Sequence, residues 1–501
     1  MSQMLIKEYL QKNGPSSSSE IKKHLLSKGL SEQASRKSIS RKGKGINTFT
    51  TFTLPKKEAF LYLDKQYNTP LFWGNFINSH IKKKSAYGIA ISSLQNRSGL
   101  CPVSHFIAYS GSPLLYRDKK LSHDFIIEKL SAAKIIQLID SIELGPCISF
   151  TPATEIKVSD ISKRYAEIFT EELMIDALAE WFKNTGMASY NAISKRSEKN
   201  HKKFGAYVWD ITSPSYALPL RSFNTEAIQP GFIVADVFNG ELDVNGIRYF
   251  INKCQSMSAL KNTKPFLPFL MANHFSKEAY NLGRSEGFIL TTPSILFGEE
   301  VSKAFLDLTN TLANTASIAV ENPSKMIEVF KVLKRIEGVE NNLKGPLFEM
   351  ISAHIINKSE GSYVDIGRIV KEPNGNKAEI DIFAVNGSHS IKIIECKAKL
   401  PHILINKSET EKWLSDRIKI IYNWIKANEN YSNMNLTFEY WTTSDYTEDS
   451  LKLINNHFPK KYKIEFKNGK QILEKAQKAK LTTIVDTLNE HFLKHPLNKM
   501  K

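Results

Sequence analysis

The chain has 501 residues, of which 42% are apolar, so it is long enough to form several domains with buried cores. Its formal net charge of +17 is typical either of a protein that binds a polyanion or of a solvated basic protein. The four cysteines lack zinc-ligand spacing, the N-terminus lacks a signal-peptide pattern, and no apolar run reaches the roughly 20 residues of a membrane helix. We therefore expect reduced core cysteines and a cytoplasmic, nucleoid-associated protein with no membrane partner.

Residues 1–55 have the element order of a winged helix. Predicted helices at 4–12, 17–28 and 31–42 precede an alternating stretch at 46–54 that reads as a hairpin wing. The third helix and the loop after it carry five cations: Arg36, Lys37, Arg41, Lys42 and Lys44. Because a helix-turn-helix inserts this element into the major groove, these side chains are predicted to bind double-stranded DNA. The alternative is a solvated basic helix.

Residues 56–155 are predicted to form a second winged-helix-like domain with an additional leading helix. The predicted helices are 69–82, 86–97, 102–110 and 122–133, and the wing strands are 135–139 and 147–151. The last of these helices carries Asp124 and Glu128, which repel phosphate. This favours a structural or protein-contact role over DNA contact.

Residues 156–315 alternate between helical and strand patterns, which predicts an α/β domain. The predicted helices are 169–185, 247–257 and 279–287, and the strands are 205–211, 231–238, 266–272 and a run from residue 288. The basic stretch 195–203 is either a solvated loop or a segment that follows a nucleic-acid backbone. Residues 316–343 read as a helical connector. The expected fold class is multidomain, α+β and α/β.

The stretch 377–399 predicts a β-hairpin with charged residues on apolar strands. Residues 378–385 alternate with the period of a strand, Asn386-Gly387 is a strong turn signal, and 390–398 is rich in isoleucine. The hairpin would bring Asp381 near Glu395 and Lys397, because side chains two apart on a strand share a face. Burying these charges without a partner is costly.

A divalent metal is the simplest partner for these charges. Asp381 and Glu395 offer the hard oxygen ligands that suit Mg²⁺, which Mn²⁺ can replace. Lys397 could then hold the attacking water or offset charge on a phosphate, as in metal-assisted phosphodiester hydrolysis. The structural alternative is a salt bridge between Asp381 and Lys397, which is worth little by itself.

These residues resemble the PD-(D/E)xK nuclease superfamily, whose motif is a strand Asp, a turn, and Glu-x-Lys on the next strand. Asp381 and Glu395-Cys396-Lys397 match that motif, although Ala378-Glu379-Ile380 stands where the family often has a Pro. The resemblance implies a nuclease domain over 344–501, with Glu349 as the helix glutamate and a following helix at 411–426. On that helix, Arg417 either contacts phosphate or lies on the surface.

The 156–315 domain is similar to the same core but lacks the family's catalytic residues. Asp210 would take the place of the strand Asp, and Ala235-Asp236-Val237 would take the Glu-x-Lys slot without a Glu or a Lys. The alternative is an unrelated α/β domain in which Asp210 and Asp236 are ordinary polar residues.

The resemblance implies a Mg²⁺-dependent DNA endonuclease in which Asp381 and Glu395 bind metal and Lys397 and Glu349 assist. One active site per chain cuts one strand, so a double-strand break implies a homodimer, at least on DNA. Restriction or antiviral defence, with a possible partner subunit, is the expected setting, and DNA repair is the alternative. A non-catalytic DNA-binding regulator and an RNA nuclease of the same fold remain open.

Overall fold

The computed structural model describes residues 2–114, 120–196, 203–223, 228–260, 263–313, 323–336, 339–457 and 459–493. The chain divides into two compact units, Met1–Ser302 and Lys303–Lys501. Each mixes helices with small β-sheets, so the protein is a multidomain α+β protein. Within the described residues, no helix is long and apolar enough to cross a membrane.

The first part of the chain is a bundle of three helices beside a small sheet. Its elements are α1 (Ser2–Asn13), β1 (Ser16–Ser17), α2 (Ser18–Ser27), α3 (Glu32–Arg41), β2 (Ile46–Thr48) and β3 (Phe60–Leu63). The strands pair antiparallel in the order β1-β3-β2. A capping box between Ser17 and Glu20 begins α2 because each side chain bonds the other residue's backbone N–H.

The predicted hairpin over 46–54 is wrong in its second strand. β2 ends at Thr48 and pairs with Phe60–Leu63, so the sheet extends beyond the predicted limit of residue 55. The connecting loop does not project as a free wing. Its apolar residues Phe49, Phe52 and Leu54 are buried among aromatic side chains of the next helix, including Phe76.

The second part repeats the order of helix, strand, two helices and hairpin. Its elements are α4 (Pro70–Lys82), α5 (Ala86–Asn96), β4 (Leu100–Pro102), α6 (Val103–Tyr109), α7 (His123–Ala132), β5 (Ile136–Ser141) and β6 (Gly145–Phe150). The strands pair antiparallel in the order β4-β6-β5. The predicted helices and hairpin strands are present here, and β4 is an additional short strand.

The rest of the first unit is an α/β module. Its elements are α8 (Ile161–Asn184), β7 (Ser194–Lys195), β8 (Ile211–Ser215), β9 (Ser222–Phe223), β10 (Ile228–Gln229), β11 (Gly231–Leu242), α9 (Arg248–Ser258), β12 (Phe266–Phe275), α10 (Lys277–Ser285), β13 (Ile289–Thr291) and α11 (Pro293–Phe297). The next helix, α12 (Glu299–Ala313), begins in the first unit and continues past its last residue, Ser302. The predicted strand over 205–211 is wrong, because β8 begins at Ile211 and Asp210 directly precedes it. One apolar core joins this module to the second part of the chain.

The second unit has its own α/β core. Its elements are α13 (Pro323–Leu333), α14 (Glu340–Glu360), β14 (Tyr363–Lys371), β15 (Lys377–Asn386), β16 (Ser390–Lys397), α15 (Lys407–Lys412), a π-helical turn (Trp413–Arg417), α16 (Ile418–Ala427), β17 (Asn435–Thr442), α17 (Glu448–Asn455), β18 (Lys463–Lys467), α18 (Gly469–Lys478), α19 (Thr482–Thr487) and a π-helical turn (Leu488–Leu493). The helix that carries Glu349, α14, begins at Glu340, upstream of residue 344. Val339 and Leu343 are buried, so the apolar face extends upstream of Pro346.

The two α/β modules share one sheet topology. The five strands β7, β8, β11, β12 and β13 lie in sequence order across one sheet, and β14 to β18 do so across the other. In both sheets the first two pairings are antiparallel and the last two are parallel. A long helix precedes each sheet, and helices connect each pair of parallel strands.

Candidate active site

The predicted hairpin of the second unit is present, and its two strands separate at the charged residues. The Asn386-Gly387 turn leads into a ladder that runs from Asn386 and Ser390 to Ile382 and Ile394. Beyond that pair, β15 stays with β14 while β16 stays with β17. Asp381 is the first residue past the separation, so its side chain can reach the backbone of β16.

Asp381 and Glu395 are brought together where the strands part. Asp381 Oδ2 accepts a hydrogen bond of 2.7 Å from the backbone N–H of Cys396, which fixes its carboxylate beside Glu395. Both residues are buried. Burial and the neighbouring carboxylate of Glu395 raise the pKa of Asp381 to about 7. Burial and the charge of Glu395 therefore both disfavour the ionised form of Asp381.

Two protein cations face Glu395. Lys397 Nζ lies 2.6 Å from Glu395 Oε1 and 4.0 Å from Asp381 Oδ2. Arg417 Nη1 donates to both oxygens of Glu395, at 2.5 and 2.6 Å. Burial disfavours the charged form of Lys397, but the carboxylates of Glu395 and Asp381 outweigh burial and raise its pKa.

Glu349 approaches the same carboxylates from α14. Burial and the charge of Asp381 raise the pKa of Glu349 well above its ordinary value, and Glu379 and Glu395 add to the shift. Lys397 opposes it. The four residues predicted for the site, Glu349, Asp381, Glu395 and Lys397, thus lie within electrostatic reach of one another.

The donor chemistry of the site fits Mg²⁺, with two protein ligands at most. Within the described residues, no group of three or more His, Cys, Asp or Glu side chains is placed to hold a metal. Mg²⁺ is commonly held by one or two carboxylates, with waters and substrate phosphates completing its coordination. Asp381 and Glu395 offer two such carboxylates, side by side and buried.

Arg417 was left open by the sequence, and the structure places it in the site. The π-helical turn Trp413–Arg417 precedes α16, and such turns are frequent at functional sites. Trp413 is buried against Tyr440 and Phe466, which anchors the turn. The sequence contained a signal for this placement. Trp413 and Arg417 are four residues apart, so on a helix they lie on the same face.

The first unit contains an equivalent charged cluster, and it corrects the predicted alignment. Asp210 Oδ2 accepts a hydrogen bond of 2.8 Å from the N–H of Val237, as Asp381 does from Cys396. Val237 therefore corresponds to Cys396, so Asp236 stands at the position of Glu395 and Phe238 at that of Lys397. The prediction that Ala235 takes the Glu position is wrong by one residue.

In this cluster the cations come from other elements. Lys253 on α9 lies 2.5 Å from Asp236 Oδ2, so a lysine reaches the carboxylate from the following helix, as Arg417 does in the second unit. Glu171 on α8 corresponds to Glu349 by its place on the preceding helix. Arg196 contacts both Glu171 and Asp210, at 3.0 and 2.9 Å.

This cluster is closed to solvent. Glu171, Asp210, Asp236 and Lys253 are each at most 1% exposed. The hydroxyl of Tyr109, from α6, lies 2.9 Å from Glu171 Oε1 and 3.2 Å from both oxygens of Asp210. Burial raises the pKa of Glu171 to about 8 and that of Asp236 to about 6. Protein cations and a phenol thus fill the space around these carboxylates.

The five cations predicted to contact DNA lie on α3 and the loop after it. Arg36, Lys37, Arg41, Lys42 and Lys44 are all exposed. Arg36 also lies 2.7 Å from Glu32, one turn earlier. The basic stretch 195–203 falls largely outside the described residues. Of its described members, Lys195 bonds Asp176 at 2.6 Å and Arg196 belongs to the closed cluster.

Comparisons with known proteins supply no family for this chain. No family model and no curated protein matches it. Among solved structures, it is similar to a crystal structure of a protein of unknown function, AF1548, at 16% identity and a TM-score of 0.20. That match covers 26% of this chain and 66% of the other protein.

Proposed function

We propose that the protein is a metal-dependent nuclease of the PD-(D/E)xK type that hydrolyses phosphodiester bonds in DNA. The observation that carries the proposal is the convergence of Asp381, Glu395 and Lys397 where the hairpin strands separate. The three charges lie close together on largely apolar strands, and a structural salt bridge alone would not require a second carboxylate.

Asp381 and Glu395 would hold Mg²⁺, or Mn²⁺ in its place, and the bound ion would supply Lewis-acid polarisation of the phosphate. Lys397, with its ammonium 2.6 Å from Glu395, orients the attacking water by donating a hydrogen bond to it. Glu349 contributes a further oxygen that holds water in the site. Arg417 supplies a guanidinium for phosphate when it releases Glu395.

In this proposal the exposed cations of α3 bring double-stranded DNA to the enzyme. One competent site per chain cleaves one strand, so a double-strand break requires a homodimer on DNA. The closed cluster in the first unit belongs to a related module that takes no part in the chemistry. Restriction or antiviral defence in the cytoplasm, at the nucleoid and with a possible partner subunit, is the setting we propose.

The test is nicking of supercoiled plasmid with Mg²⁺, with Mn²⁺ and with EDTA. We expect metal-dependent nicking that Asp381→Asn abolishes and Lys397→Ala slows by about 10²–10⁴-fold. Lys399→Ala is the matched control, because Lys399 pairs with Glu409 outside the site, and it should nick at the parent rate.

Nicking by Lys397→Ala at the parent rate, or nicking that persists in EDTA, would disprove the assignment. A metal-independent gel shift without cleavage in any metal would instead indicate a DNA-binding regulator. Matched RNA and DNA duplexes distinguish an RNA nuclease from the enzyme proposed.

A further inference from the structure

A basic cleft lies in the first unit, and none of its lining residues belongs to either charged cluster. It has a volume of about 680 Å³ and is bordered by the β2–β3 loop, the α4–α5 turn, the start of α5, and α7. We call it the lysine cleft, because six lysines line it: Lys56, Lys57, Lys83, Lys84, Lys120 and Lys129. The prediction of a wing over 46–54 did not anticipate it, since the loop there folds inward.

The positive charge of the lysine cleft is only partly neutralised. Lys83 pairs with Glu58 at 2.8 Å and Lys129 with Glu128 at 3.2 Å. Within the part of the chain that the structure describes, Lys56, Lys57 and Lys84 form no ion pair, and all three are exposed. Like charges that converge on a concave surface repel one another and attract a polyanion.

Two further features suit a strand of nucleic acid. Ser85 and Ala86, at the N-terminus of α5, line the cleft. Ser85 caps the Gly88 N–H, and the positive end of the helix dipole favours phosphate there. Phe125 on α7 also lines the cleft and is 38% exposed, with Lys129 Nζ 5.1 Å from its ring centre. The acidic residues of the same helix, Asp124 and Glu128, do not line the cleft. An exposed aromatic ring beside lysines is the combination on which bases stack while cations follow the backbone.

From these features we infer that the lysine cleft binds single-stranded nucleic acid. Its volume falls in the range of small-molecule sites, so it holds a few nucleotides and excludes a double helix. The lysine cleft therefore differs from the α3 cations in its ligand, because the α3 cations are proposed to bind double-stranded DNA. It is also independent of the proposed nuclease activity, because binding requires no metal.

The experiment is fluorescence anisotropy of a labelled oligothymidylate with the full-length protein in EDTA, so that no cleavage occurs. The cleft variant combines Lys56→Gln, Lys57→Gln and Lys84→Gln. It should bind roughly tenfold more weakly, and its dependence of log affinity on log salt should be shallower by about 2.

A charge-matched control carries Lys157→Gln, Lys163→Gln and Lys277→Gln, three exposed lysines outside the cleft. It should bind like the parent. Equal losses in the two triple variants would overturn the proposal, because binding would then follow net charge alone.

A second pair of variants tests the contribution of the Phe125 ring. Phe125→Ala should weaken oligothymidylate binding about tenfold, whereas Leu138→Ala, which removes another exposed apolar side chain, should not. No binding by the parent protein would overturn the proposal. So would cleft-dependent binding to vesicles of anionic lipid without binding to the oligonucleotide, since the partner would then be a membrane surface.

Discussion

Breaking the buried ion pair between Lys253 and Asp236 tests whether the cluster in the first unit is structural. Lys253→Met removes the ammonium but keeps an apolar chain of similar length. The pair is almost fully buried, with Lys253 1% and Asp236 0% exposed and their atoms 2.5 Å apart. Removing one member of such a pair leaves an uncompensated buried charge, which costs about 3–5 kcal/mol.

The loss should appear as a fall of roughly 10 °C in the melting transition of the first unit, followed by circular dichroism. Without Lys253 the pKa of Asp236 rises further, because that ammonium is the strongest charge that lowers it. The double variant Lys253→Met/Asp236→Asn leaves no unpaired charge, so it should recover at least half of the loss. Plasmid nicking at 20 °C should match the parent.

Two results would refute this reasoning. A Lys253→Met protein that melts within 2 °C of the parent would mean that the pair contributes little to stability. A folded variant without nicking activity would mean that the cluster acts in the chemistry, contrary to its assignment as a closed, structural site.

Three more predictions concern charges and a helix cap. Arg417→Gln should tighten Mn²⁺ binding in the absence of DNA by up to roughly tenfold in calorimetry, because the guanidinium no longer competes for Glu395; unchanged affinity would contradict this. The pKa of Glu171 is raised to about 8, so the folded protein holds more protons than the unfolded chain between about pH 4.5 and 8, and stability falls as pH rises through that window. Glu171→Gln should flatten this fall in melting temperature, and an unaltered pH profile would count against it. Ser17→Ala should lower the free energy of unfolding by about 1 kcal/mol in urea titrations, because the capping box with Glu20 is lost; a midpoint equal to the parent's would show the cap to be dispensable.

The hairpin of the second unit could be predicted because its register is encoded locally. Asn386-Gly387 fixes the turn, and the turn fixes which residues face each other. The placement of Asp381 beside Glu395 follows from these residues alone. The separation of the two strands at Asp381 depends instead on their other neighbours, because β15 continues to pair with β14 while β16 continues to pair with β17.

The cluster of the first unit could not be placed to the residue from sequence. β11 is buried on both faces, so its apolar pattern does not show which of its side chains lie on the side of the sheet near Asp210. A hydrogen bond from Val237 to Asp210 sets the register, and the two lie far apart in sequence. Lys253 lies on α9 and Asp236 on β11, so the spacing of residues within one element does not predict their contact.

The position of β3 was missed for a related reason. The loop between β2 and β3 places Phe49 and Phe52 among threonines, and such a run of aromatic and β-branched residues resembles a strand. Their burial against α4 shows that the pattern arises from packing onto the next helix instead of from pairing in a hairpin.

The closed cluster also constrains how the first unit can change during evolution. Arg196, just after β7, and Tyr109 on α6 both contact Glu171 and Asp210, and Lys253 on α9 contacts Asp236. Replacing any one of them leaves a buried charge without its partner, so each single step towards an open site is destabilising. The substitutions are therefore expected to be interdependent, and the module stays in its present form unless several of them occur together.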